Sequence, residues 1–226
     1  MQTRPVAPEG LEQAHRTIAE YFVRHPEQAA IREAFGRAFE TLVECFQRNG
    51  TLFLCGNGGS FADCQHISGE LMKTFERKRP LPEDFRDKLR QDPVGADLVE
   101  ELQSGFRAIP LGLSASLVSA IWNDSPTPNI HYAQELTVLA RPGDVLLAIS
   151  TSGRARNVLN AMAVARALGV PVIALTGPDG GDVARQADIA LRLPGQRTCE
   201  IQEAHLPCYH LLCLAVEQAF FTEARG

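Results

Sequence analysis

Residues 51–60 read TLFLCGNGGS: a short apolar run, then a cluster of glycine, asparagine and serine, after which helical spacing resumes at Phe61. An apolar run of this length, stopped by glycine, reads as a buried strand ending in a tight turn. The same strand, small-residue loop and helix unit recurs at 144–149 (DVLLAI) before Ser150-Thr151-Ser152-Gly153, and at 170–175 (VPVIAL) before Thr176-Gly177. Two further strands are expected at 108–111 and 189–193. Short apolar strands alternating with helices require a parallel sheet covered on both faces. The expected fold class is therefore α/β, a doubly wound, five-stranded parallel sheet flanked by helices.

Upstream, residues 11–24 and 26–48 have helical periodicity, the second carrying Ile31, Phe35, Phe39, Leu42 and Phe46 at spacings of three or four. Pro26 fits a first turn and Asn49-Gly50 stops the helix. This apolar stripe either packs on the chain's own core or pairs with the same helix of another subunit. Two long helices ahead of a modest sheet offer apolar surface to spare, so residues 1–50 are expected to form an oligomerisation segment. Residues 76–107 break the rhythm with 7 Lys/Arg, 8 Asp/Glu and prolines at 80, 82 and 93. Such a neutral, charge-dense insertion reads as a solvated excursion with helical pieces at 83–90 and 97–105. No linker divides the chain, so residues 1–226 are expected to form a single domain.

The 226 residues carry 22 Lys+Arg against 27 Asp+Glu, a net charge of −5, with 45% apolar and 22% charged residues. That balance supports a folded core and disfavours an extended nucleic-acid surface, while leaving room for a local basic patch around a small phosphorylated ligand. No apolar stretch approaches the roughly 20 residues that cross a bilayer, and residues 1–10 lack the layout of a signal peptide. A cytoplasmic protein without membrane partners is expected. The six cysteines show no CxxC spacing and read as buried thiols rather than a disulfide framework.

In an open parallel sheet, ligands bind beyond the carboxyl ends of the strands. Residues 56–60 can bring backbone N–H groups close to an anion beside a helix N-terminus, and Ser150, Thr151 and Ser152 offer three hydroxyls beside another. Each loop alone also fits an ordinary turn or cap; the two together in one α/β domain favour a phosphate cradle. GxxxxGK[ST] and a complete GxGxxG are both missing from the sequence, which disfavours nucleoside triphosphates and dinucleotides and leaves a small sugar phosphate.

His66 and Glu70 stand four apart on the helix after the glycine loop, expected near its first turns, and Gln202 and His210 stand eight apart in an apolar helical segment. These residue types suit a zinc-like ion. Singly they also suit a surface pair and a core histidine, and spacing alone does not bring the two helices together.

Taken in order, CGNGGSFADCQHISGEL (55–71), Asn123-Asp124, AISTSGRARNV (148–158), VIALTGPDGG (172–181) and EIQEAHLPCYH (200–210) resemble the phosphoheptose isomerases of the sugar isomerase (SIS) fold, a flavodoxin-like three-layer sandwich. The likeness includes the unusual IQExHxxxxH spacing, covers most of the chain and fails over 76–107. It implies a divalent ion, usually zinc, held by His66, Glu70, Gln202 and His210, with Glu70 and His210 as the acid–base pair. It also implies sugar-phosphate contacts from Asn57, Gly58, Gly59, Ser60, Asn123, Asp124, Ser150, Thr151 and Ser152, together with Glu70 and Gln202. The implied enzyme is an aldose–ketose isomerase taking sedoheptulose 7-phosphate to D-glycero-D-manno-heptose 7-phosphate through an ene-diol. It would work as a homotetramer with sites at subunit interfaces. Three departures touch the substrate. Ala155 stands where the family often has serine, with Arg154 or Arg156 as substitutes; Thr74 replaces a common arginine, with Lys73 adjacent; and the insertion is extra. Two other readings share the fold: an isomerase for a different sugar phosphate, and a non-catalytic protein that binds a replication initiator. The complete His66, Glu70, Gln202 and His210 set argues against the second.

Overall fold

In the computed structural model, which describes residues 5–222, the expected strands form one sheet. They are β1 (Thr51–Cys55), β2 (Arg107–Pro110), β3 (Val145–Ser150), β4 (Val172–Thr176) and β5 (Ile189–Arg192). Every neighbouring pair is parallel, in the order β2-β1-β3-β4-β5. Boundaries move by one or two residues from the apolar pattern. β4 begins only at Val172 because Pro171 has no N–H to give a ladder, and β3 runs on through Ser150, which pairs with Thr176.

Strand alternation sorts the side chains into two cores. Leu52, Leu54, Leu147 and Ile173 pack beneath α2 (Arg32–Gln47), α3 (Gly59–Met72) and α10 (Thr198–Phe220). Phe53, Cys55, Leu146 and Ala148 pack against α7 (His131–Leu139) and α8 (Arg156–Ala167). The result is the three-layer sandwich.

The N-terminal segment differs from expectation at one boundary. Pro26–Ile31 is a 3₁₀ turn, so the second helix begins at Arg32. Its stripe is spent at home: Ile31, Phe35, Phe39, Leu42 and Phe46 are all buried in the chain's own core, leaving none of them for a second subunit. The reason is an extra covering helix. α1 (Pro8–Arg24) lies on α10 so closely that a Cβ on Gly10 would sit 2.2 Å from the Gln218 carbonyl oxygen.

The charged segment is also less detached than its composition implies. α4 (Glu83–Arg90) forms as expected, but the next helix, α5 (Pro93–Leu98), starts earlier than 97. Asp92 caps it by accepting from Val94 N and Gly95 N at 2.9 Å, with Pro93 in the first turn. Arg79, Val99, Ser104 and Phe106 are buried. All six cysteines are free thiols; five are buried and Cys199 is exposed. Burial pushes the Cys55 and Cys208 thiols up to about 12. Among the described residues no helix is long and apolar enough to cross a membrane.

Candidate active site

β1 and β3 are neighbours where the strand order reverses, so the loops that follow them open at the same point of the sheet edge. Side-chain amides tie these loops together. Asn57 Nδ2 donates to Asn157 Oδ1 at 2.9 Å, and Asn157 Nδ2 donates to Asn57 Oδ1 at 2.8 Å. Tyr132 adds a hydroxyl donated to the Gly56 carbonyl. Gly58, with φ 55°, takes the left-handed conformation that lets α3 start at the next residue. Ser60 is buried in the first turn of α3.

After β3, Ser150 is buried, Thr151 half-buried and Ser152 exposed, so the hydroxyls step outward from sheet to solvent. Gly153 meets the next loop backbone to backbone: a Cβ there would lie 1.9 Å from the Gly180 carbonyl oxygen. That next loop leads into α9 (Gly181–Gln186). Ala155 is the N-cap of α8 and supplies no capping side chain. Arg154, a possible substitute, is paired with Asp179 at 2.8 Å.

α3 and α10 pack side by side. Gly59, Asp63, His66 and Glu70 share one face of α3 by their spacing of three and four, and α10 sets Gln202, Tyr209 and His210 opposite. Three of the four expected metal-binding residues meet here. His66 Nε2 is 3.1 Å from Glu70 Oε1 and 3.4 Å from His210 Nε2, and the three possible ligand atoms lie within 4.8 Å of one another. A tetrahedral ion with bonds of about 2.0–2.1 Å needs donors roughly 3.3 Å apart, so the donor types and the two separations measured from His66 fit. His66 and Glu70 stand in the second half of α3, not near its first turns, and His210 is half-buried at this seam rather than enclosed in the core. Burial lowers the His210 pKa, repulsion from His66 adds to this, and Glu70 opposes it. The neutral imidazole is the form that binds a metal.

Gln202 occupies the other end of the seam. Its amide lies over Gly59, where a Cβ would be 2.3 Å from Gln202 Nε2, and eight residues of helix, about 12 Å, separate it from His210. Asn123 and Asp124 end α6 (Ala115–Asp124), exposed, with Asn123 Nδ2 donating to Asp124 Oδ1 at 2.7 Å. They stand beside Leu113 and Trp122, both largely exposed.

Sequence reasoning missed four participants. Asn157 joins the loops, and Tyr132 braces the glycine turn. Tyr209 places its hydroxyl 3.0 Å from His66 Nδ1 and 3.3 Å from Asp63 Oδ1. Tyr209 and Asp63 were adjacent to His210 and one turn before His66, a signal that helical spacing makes readable only once the helices are paired. Burial raises the Asp63 pKa, against the Tyr209 hydrogen bond and the His66 charge, which lower it.

SIS domain models match residues 17–102 and 128–220, the first running well into the charged segment. The phosphoheptose isomerase of Roseiflexus sp. (strain RS-1) is 36% identical over 184 residues, covering 81% of each chain. The chain belongs to the phosphoheptose isomerase family. Two solved phosphoheptose isomerases share its fold at 29% identity. GmhA from Neisseria gonorrhoeae has a TM-score of 0.67, covering 91% of this chain and 94% of that one. The enzyme from Francisella tularensis has a TM-score of 0.70, covering 89% and 96%. Both matches run over about nine-tenths of this chain, so its fold is the family's fold.

Proposed function

We propose that the chain is an aldose–ketose isomerase that converts sedoheptulose 7-phosphate to D-glycero-D-manno-heptose 7-phosphate. The observation that carries this reading is the seam itself: two loops suited to an anion at one end, and a carboxylate with two imidazoles some turns further along. A phosphate held at the loops orients a chain whose reacting carbons lie remote from it.

In this reading Gly58, Gly59, Ser60, Ser150, Thr151 and Ser152 hold the phosphate through backbone N–H groups and hydroxyls, with Asn57 fixing the loop. Glu70 removes the proton from the carbon next to the carbonyl and returns it at the neighbouring carbon, and His210 moves protons on the oxygens. His66, Glu70 and His210 would hold a divalent ion, for which zinc fits the donor set, and that ion supplies polarisation of the carbonyl when bound. Gln202 reaches the sugar from the glycine-loop end; to join the metal set its side chain would have to leave Gly59. Asn123 and Asp124, exposed beside Trp122, are assigned to sugar contacts in a homotetramer, where the uncovered Leu113, Trp122, Val138 and Leu139 supply apolar surface for subunit contact. The free thiols and a phosphorylated substrate are in keeping with the cytoplasm.

The test is incubation of the purified protein with a panel of ketose phosphates of increasing chain length, with and without chelator, following aldose formation. Conversion of the seven-carbon member, lost on chelation and restored by metal, is expected. No conversion of any member with metal supplied would overturn the reading and favour a non-catalytic binding protein.

A further inference from the structure

We propose that Asp63 and Tyr209 act as a positioning relay that fixes the His66 ring, so that its Nε2 points at the space shared with Glu70 and His210. This rests on the metal-site reading above. The hydroxyl of Tyr209 has one proton and two neighbours, Asp63 Oδ1 at 3.3 Å and His66 Nδ1 at 3.0 Å. An ionised carboxylate only accepts hydrogen bonds. The other Asp63 oxygen, Oδ2, is buried and meets no partner among the described residues, so the phenol proton goes to Asp63. The phenol oxygen then accepts from His66 Nδ1–H.

That assignment fixes which nitrogen is left to face the shared space. With Nδ1–H held by the phenol, Nε2 faces Glu70 Oε1 and His210 Nε2, at 3.1 and 3.4 Å; the Glu70 carboxylate also only accepts, so without an ion that contact takes a proton on Nε2, which an incoming ion replaces. Without Nδ1–H the phenol proton would turn to His66 and leave Asp63 without its donor. Ring packing holds the orientation: His66 stands edge-on to Tyr209 at 75° and to His210 at 83°, with centroids 5.5 and 4.9 Å apart. Because Tyr209 and His210 are consecutive on α10, one turn of helix grips His66 from both nitrogens. A hydrogen-bonded group behind a metal-ligating imidazole commonly sets its tautomer and sharpens its affinity.

The experiment uses the full chain and its Tyr209→Phe and Asp63→Asn variants. Zn²⁺ and Co²⁺ affinities are measured by competition with a chromophoric chelator, and the protonation of His66 Nδ1 in the metal-free protein by ¹⁵N NMR of the ring nitrogens. Tyr209→Phe keeps the ring and its packing, and Asp63→Asn leaves the tyrosine in place, so each checks the other if one folds poorly. Expected are a protonated Nδ1 in the wild type, loss of that Nδ1–H in both variants, and metal binding weakened about 10–100-fold. Affinities within twofold of wild type with Nδ1–H retained would overturn the relay while leaving the metal site standing. A wild-type chain that binds neither ion would remove the metal reading and the relay with it.

Discussion

Arg79 and Glu217 form an ion pair, Nε to Oε1 at 2.7 Å, with both side chains fully buried. Glu217 also accepts from Phe75 N at 2.9 Å and Glu76 N at 2.7 Å. Arg79 also donates from Nη1 to the Leu71 carbonyl and from Nη2 to the Glu70 carbonyl, at 2.7 and 2.9 Å. The pair therefore pins the start of the charged segment to α10 and caps the end of α3, where Glu70 sits.

Removing one partner from such a pair leaves an uncompensated buried charge, at a cost of about 3–5 kcal/mol. Arg79→Met and Glu217→Leu are each expected to lower unfolding free energy on that scale in denaturant titrations, and the double variant to cost less than the two single losses added, because it removes the unpaired charge but still leaves the backbone groups of Glu70, Leu71, Phe75 and Glu76 without these partners. Equal midpoints for Arg79→Met and wild type would show that the segment is not anchored there.

Glu70→Gln and His210→Gln should fold as wild type yet lose at least about a hundredfold in turnover, the scale of a missing acid or base. Thermal melts alongside steady-state rates check this. A near-normal rate in either variant would remove its assigned role.

Gly59 leaves room for the Gln202 amide rather than for an unusual backbone. In Gly59→Ala the new methyl would displace the end of a flexible side chain, so the melt should move little while the Michaelis constant for the sugar phosphate rises about tenfold, the worth of about one hydrogen bond. Unchanged kinetics would mean that Gln202 does not meet the substrate.

His205 is fully buried on α10, beside the backbone of Thr176 but short of hydrogen-bond geometry at either ring nitrogen. Burial lowers its pKa to about 4. Because this folded value lies below the unfolded value, the unfolded chain binds the extra proton between about pH 6.5 and 4. Stability is then full above that window and falls with acidification by up to roughly 1.4 kcal/mol per pH unit. His205→Leu is expected to flatten this slope in denaturation curves taken at pH 7, 6 and 5; an unchanged slope would assign the acid sensitivity elsewhere.

The sheet was legible because strands such as Leu52–Leu54 and Leu146–Ala148 are buried on both faces and leave an unbroken apolar run ended by glycine or serine. The loops were legible for the same reason, since what stops a buried strand at the sheet edge is also what can meet a ligand. α5 was misplaced because a short helix is set by its cap, Asp92 with Pro93, more than by periodicity. The N-terminal stripe left two readings open because an apolar face does not name its partner; in the folded chain its residues lie in the chain's own core.

Local order in the chain determined the strand–loop–helix units, the glycine and serine turns, and which side chains share a helix face, because these depend on neighbours within a few residues. Only the folded chain decided that His66 meets His210 and Tyr209 across 143 or 144 positions, that Asn57 and Asn157 lock two loops, and that Arg79 finds Glu217. Contacts between helices follow from how each buries its apolar stripe against a common sheet, and that choice is made by the whole core at once.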